Sequence, residues 1–281
     1  MNILTFDLED WFHILDFNET AKPEQWLNFG SRLEVNTDRI LNLLEKKNLR
    51  ATFFCLGWVA QKFPALIKKI SLKHEIACHS MNHQLLQFQS RTEFVNDLKE
   101  ATHLLEDITG NKIISYRAPG FSLDKKHYFV FEELQKLNYK IDCSIFPAKR
   151  NHGGISNFEY QKPCRIVGDN FDLLELPLNT TKIFFRKIVF SGGGYFRLLP
   201  YSFIKSQMKK TNYVMTYFHP RDFDPTQPML KGLPFKRKLM SYSGLNSSYA
   251  KFERLLNDFD FISVDQAEKL IAQTKLPSVN L

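Results

Sequence analysis

The sequence predicts an α/β protein organised on a parallel sheet or barrel, and three observations carry that reading. In the first half, short apolar runs alternate with amphipathic stretches at close spacing. Several of those runs end in polar groups able to do chemistry: Asp7, Glu9 and Asp10, then His79 and His83, then Arg117, and much later His219. No internal repeat or low-complexity linker interrupts the 281 residues, so one domain over 1–281 is expected, with an insertion at about 147–212.

The elements follow in order. Residues 3–6 form an apolar run that opens into Asp7-Leu8-Glu9-Asp10 and Trp11-Phe12-His13. Carboxylates between such apolar flanks need a partner, a metal or a raised pKa. An amphipathic helix is expected with Thr37 as its cap and Ile40, Leu41, Leu43 and Leu44 on its apolar face. Residues 51–56 read as a second buried strand, and a helix over 58–71 restarts at Pro64. The third strand, 75–78, runs into His79-Ser80-Met81-Asn82-His83, whose imidazoles converge on one ion if the turn between them is helical.

Ser90-Arg91-Thr92-Glu93 is a capping box, opening a helix with Phe94, Leu98, Ala101, Leu105 and Ile108 on one face and Gly110 as its stop. A fourth strand, 113–116, leads to Arg117-Ala118-Pro119-Gly120; a helix spans about 125–137, and a fifth strand, 139–145, carries Asp142. Over 147–212 the alternation is lost. Ser191-Gly192-Gly193-Gly194-Tyr195 there suggests structural use, with backbone close to another segment, or use in a substrate cleft, because a phosphate loop would continue with Lys-Ser/Thr and a helix, which are not read here. A strand over 213–218 ends in His219-Pro220-Arg221-Asp222. Helix 247–257, strand 258–263 and helix 264–273 close the chain.

Composition narrows the class. A hydrophobic share of 43% and a charged share of 24% suit a soluble globular protein, and most of the 26 Phe go to a thick core. The formal charge of +8, with basic runs at 205–210 and 231–238, favours anionic partners such as phospholipid headgroups or lipid-linked sugar phosphates. Nucleic acid is not expected, since no reading motif accompanies the charge. Cys55, Cys78, Cys143 and Cys164 are scattered without a C-x-x-C pair, as free buried thiols in a reducing compartment would be. The first residues lack the basic and apolar regions of a signal peptide, and no apolar run reaches membrane-spanning length, so a cytoplasmic protein is expected.

On one rim of a barrel the polar strand ends would share a pocket. Two imidazoles and one carboxylate, leaving a coordination position open, are the ligand set of a hydrolytic metal site; a second carboxylate serves as base and another His as acid.

With those residues placed, the chain resembles the polysaccharide deacetylase family, carbohydrate esterase family four with its NodB-homology domain. Thr5-Phe6-Asp7 is similar to the first motif and His79-Ser80-Met81-Asn82-His83 to the H-S/T-x-x-H metal motif. Arg117-Ala118-Pro119-Gly120, Tyr139-Lys140-Ile141-Asp142 and Tyr217-Phe218-His219 resemble the remaining three. The triple-glycine stretch and the run from His219 to Pro225 resemble the branch associated with exopolysaccharide assembly.

The resemblance implies a distorted (β/α)7-8 barrel with the insertion before its last strands. It also implies metal-dependent N-deacetylation of hexosamine in a poly-, oligo- or lipid-linked saccharide. By the same resemblance Asp7 is the base held by Arg117, a backbone N–H near Gly120 meets the oxyanion, His219 is the acid, and Asp142 orients it. His79 and His83 would hold the ion with either Glu9 or Asp10, because Leu8 separates acids that the family keeps adjacent; the fourth motif also lacks the family's Trp. The expected ion is divalent, zinc first, with cobalt, nickel or manganese as alternatives. The expected partners are the N-acetylated saccharide and, peripherally, an anionic membrane surface. Two rival readings are hydrolysis of a small cyclic amide or imide on the same barrel, and an inactive glycan-binding module.

Overall fold

The protein is described here by a computed structural model covering residues 1–15, 17–150, 152–183 and 186–281. Its strands, in chain order, are β1 (Asn2–Ile3), β2 (Thr5–Leu8), β3 (Thr52–Cys55), β4 (Glu75–Cys78), β5 (Ser115–Tyr116) and β6 (Ile141–Asp142). Then come β7 (Cys164–Gly168), β8 (Phe171–Glu175), β9 (Thr180–Ile183), β10 (Arg186–Val189), β11 (Val214–Met215) and β12 (Ser278–Asn280).

Eight of these form one sheet in the order β12-β7-β8-β6-β5-β4-β3-β2. All its pairings are parallel except β7 with β8. The sheet curls on itself. β1 pairs in parallel with β11, and a bridge joins Phe6 to Phe218, so a segment from the last quarter lies against the first strand. This is the expected distorted (β/α) barrel. β2, β3 and β4 are buried along their whole length, which explains why they read as unbroken apolar runs and not as an alternating pattern. Phe6 stacks on Phe53 and meets Phe252 edge-on, tying β2 and β3 to the helix Leu245–Asp258.

The helix Arg91–Thr109 begins on the Ser90–Glu93 capping box and ends at Gly110 in the left-handed conformation. The helix Leu33–Lys46 starts earlier than its Thr37 predicts. Asp10 accepts from the backbone N–H of Arg32, the residue before the helix, and Ser31 Oγ accepts from the Leu33 N–H, while Thr37 is buried inside the helix.

Several strands are shorter than their apolar runs. The 113–116 and 139–145 stretches keep only Ser115–Tyr116 and Ile141–Asp142 in the sheet, and 258–263 contributes one bridge, Ile3 to Ile262. β12 has no apolar run to announce it. In the 147–212 segment, β7 and β8 form a hairpin whose second strand joins β6, whereas β9 and β10 form a separate antiparallel pair. A short helix, Gly193–Leu198, begins within the glycines, with Gly192 at its N-cap. Gly192 is where backbone meets backbone: a Cβ there would stand 1.8 Å from the Tyr217 carbonyl oxygen. Among the described residues no helix is long and apolar enough to cross a membrane.

Candidate active site

β2, β4, β5 and the segment after β11 deliver their polar ends to one open cleft. It is lined by Asp7, Glu9, His83, Gly120 and His219, with Phe121, Tyr195 and Tyr217 as its aromatic wall. The chain turns at once after β2, the Glu9 N–H donating to the Asp7 carbonyl at 2.9 Å. That turn sends Glu9 towards the histidines and Asp10 away from them.

Glu9, His79 and His83 present ligand atoms within 4.8 Å of one another, all three residues buried. Glu9 Oε1 lies 3.1 Å from His79 Nε2 and 2.9 Å from His83 Nε2. His79 donates its Nδ1–H to the Arg117 carbonyl at 2.7 Å, so its neutral tautomer leaves Nε2 as a lone pair facing a carboxylate. His83 Nε2 is buried without a hydrogen bond. Lone pairs converging on a carboxylate need a cation between them, and two imidazoles with one carboxylate suit a divalent transition metal. The residues fit the ion. The loop between the histidines is not the helical turn expected; Ser80 and His83 both take positive φ, at 71° and 53°, and the Ser80 Oγ accepts from the His83 N–H. Burial alone would push the Glu9 carboxyl up, but His83, His219 and His79 outweigh it and hold it well below the usual carboxylate range.

Asp7 belongs to a second, overlapping cluster with Glu9 and His219. Its Oδ1 accepts from Arg117 Nη1 at 2.5 Å, and both side chains are buried. Arg117 also donates to Thr5 Oγ1 and lies over the Phe54 ring at 4.0 Å, which fixes the guanidinium plane. The other Asp7 oxygen, Oδ2, faces His219 Nε2 at 3.8 Å.

His219 is oriented from its other side. Asp222, one turn on, lies 3.0 Å from His219 Nδ1, caps the His219 backbone N–H, and is itself paired with buried Arg197. Burial opposes protonation of His219, but Glu9, Asp222 and Asp7 outweigh it and raise the imidazole to about 9.

Two expectations take a different form here. Asp10 is not at the histidines: its oxygens are used by Ser31 Oγ and by the Trp11 and Arg32 N–H groups, holding the start of a helix. Asp142 does not reach His219 either. It accepts from the Ser144 hydroxyl and N–H, and Ser144 in turn receives the Ala118 N–H, so Asp142 props the Arg117–Gly120 loop. Sequence reading also passed over Asp222, although the i, i+3 spacing from His219 before a helical turn was visible.

Residues 17–141 match the polysaccharide deacetylase family model. This stretch belongs to the polysaccharide deacetylase family. Residues 143–269 match a separate model, a domain of unknown function (DUF3473). The deacetylase match holds His79, His83, Arg117 and Gly120; Asp7, Glu9 and Asp10 precede it, and His219 and Asp222 fall in the second match.

Among relatives, a peptidoglycan-N-acetylglucosamine deacetylase of Bacillus cereus is 31% identical over 104 residues, 37% of this chain and 38% of that protein. The chain thus spans little more than a third of that relative. The crystal structure of a polysaccharide deacetylase from Mycobacterium smegmatis, itself described as putative, superposes with a TM-score of 0.68 at 18% identity, covering 100% of this chain and 92% of the other. That of a peptidoglycan N-acetylglucosamine deacetylase superposes at 0.51 and 16% identity, covering 94% and 86%. Both are likenesses of fold.

Proposed function

We propose that the protein is a metal-dependent hydrolase that removes N-acetyl groups from hexosamine residues of a saccharide. The observation that carries this reading is the pairing of Asp7 Oδ2 with His219 Nε2, 3.8 Å apart, directly beside the Glu9–His79–His83 cluster. An acid and a base thus meet on one wall of the cleft, where both can reach a reacting amide bound beside them. The open cleft with its aromatic wall of Phe121, Tyr195 and Tyr217 suits a sugar ring better than a small cyclic amide, which a closed cavity would hold.

Glu9, His79 and His83 would hold the divalent ion, zinc in the first instance. When bound there it supplies Lewis-acid polarisation and acidifies water. Asp7, fixed by Arg117, accepts the proton of the water that attacks the acetamide carbonyl. The Arg117–Gly120 loop lines the cleft and brings Gly120, which has no side chain to intrude, to the place where charge develops on the carbonyl oxygen. His219, held protonated by its acidic neighbours, gives its proton to the leaving amine, and acetate departs. In this reading Asp222 does the orienting.

The resemblance to the exopolysaccharide-associated branch supports a role in cell-surface polysaccharide biosynthesis. Four free, buried cysteines support a reducing, cytoplasmic setting. The test is acetate release from N-acetylated oligosaccharides with and without chelator. His219→Ala should lower turnover by roughly 10²–10⁴-fold; near-native turnover in that variant overturns the assignment.

A further inference from the structure

The cleft holds more positive charge than its own chemistry uses. Of its carboxylates, Asp7 is paired with Arg117, Asp222 with Arg197 and His219, and Glu9 faces the histidines. Three further arginines line the same cleft, Arg150, Arg221 and Arg237. Among the described residues Arg150 Nη1 and Arg221 Nη2 are buried without a hydrogen-bond partner, and the Arg150 guanidinium carbon lies over the Phe146 ring, 4.5 Å from its centroid. Arg237 donates to the Leu15 carbonyl and pairs with no acid among the described residues. A buried guanidinium N–H with no acceptor is costly, and such atoms line binding sites because a ligand supplies the missing oxygen.

The excess continues outwards. Arg150, Tyr195 and Arg237 also line an adjoining trough with Lys149, Lys187 and Lys236, and no carboxylate lines it among the described residues. A single carboxylate would need one guanidinium fork; a run of arginines and lysines leading away from the reaction centre suits an extended, multiply charged oxyanion.

We infer that the cleft and trough form a subsite for a phosphate or diphosphate ester carried by the sugar substrate. It would be engaged by Arg150 and Arg237, with Lys149 and Lys236 at the outer end. This rests on the deacetylase reading, which it deepens by naming the substrate as a phosphorylated N-acetylhexosamine. A nucleotide-linked sugar and a lipid-diphosphate-linked sugar share that chemistry.

The experiment compares acetate release from four acetylated substrates. They are a neutral methyl glycoside of N-acetylglucosamine, its uridine diphosphate ester, a polyprenyl diphosphate ester in detergent, and a uronate-containing oligosaccharide. The expected result is a kcat/KM for the diphosphate esters about tenfold or more above the neutral glycoside, the scale of a charge-assisted hydrogen bond. In Arg150→Gln/Arg237→Gln that ratio should fall towards unity, and higher salt should lower it in the wild type. Lys149→Gln/Lys236→Gln, both exposed side chains, should lower it partway without risk to folding. Which ester leads identifies the carrier.

Equal rates for neutral and phosphorylated substrates, a ratio that the arginine and lysine variants leave unchanged, or a preference for the uronate substrate alone would overturn the subsite while leaving deacetylation standing. Calorimetric titration with N-acetylglucosamine 1-phosphate separates the opposite case. Binding that the arginine variant abolishes, in a protein that releases no acetate from any substrate, supports the subsite and overturns the deacetylase.

Discussion

His219 and Asp222 face each other across one helical turn, Nδ1 3.0 Å from Oδ2, with the same aspartate also receiving the His219 backbone N–H. Asp222 helps hold the imidazole protonated, so Asp222→Asn should lower the pKa of His219 from its value of about 9. A general acid works while protonated, so activity falls as pH rises through that pKa. In the variant this alkaline limb of kcat/KM should move to lower pH by about one unit or more, the usual effect of one close opposite charge. A pH–rate profile checks it, and an unmoved limb assigns the proton elsewhere.

The turn after β2 separates two adjacent acids, and their variants should fail differently. Glu9→Gln or His83→Ala should reduce bound zinc, measured by mass spectrometry, from about one ion per chain to near none. Both should lose activity and the rise in melting temperature that added zinc should give the wild type. Asp10→Asn should keep the ion. It should cost roughly 1 kcal/mol of stability in urea titration, because it weakens the support at the start of Leu33–Lys46.

Arg117 is wholly buried, and Asp7 is buried against it. Arg117→Leu strands a carboxylate in the core, so unfolding free energy should drop by about 3–5 kcal/mol. A loss under 1 kcal/mol in denaturant titration would show that the pair is not the tie described.

Gly192 leaves no room for a methyl group against the Tyr217 carbonyl, and neither partner is the tip of a flexible side chain. Gly192→Ala should therefore displace the segment that leads to His219, costing roughly 3 kcal/mol and most of the activity. Gly30→Ala, with nothing within 4 Å, is the matched control and should leave melting temperature and turnover unchanged.

The barrel was legible because its first strands are buried on both faces, which writes them as unbroken apolar runs, and because β2 and β4 end in groups that chemistry needs. The clustering of Glu9 with His79 and His83 was half legible. A strand period alone cannot say which of two acids beyond a strand end turns inward; that depended on Ser31 and Arg32, over twenty residues later, claiming Asp10. Asp222 was overlooked for a related reason. The motif resemblance pointed to Asp142, while local i, i+3 geometry supplied a nearer partner. β12 was illegible because its side chains are largely exposed and polar, and only the β7 edge makes it a strand.

The acid and its positioning aspartate sit in the region matched by the model of unknown function, while the two histidines sit in the other. Cutting the polypeptide between these matches would give one fragment that grips a cation and another that carries the proton donor, neither able to turn over substrate. On the proposed function the two regions are therefore one catalytic unit, and a recombination breakpoint between them would silence the reaction even if both pieces folded.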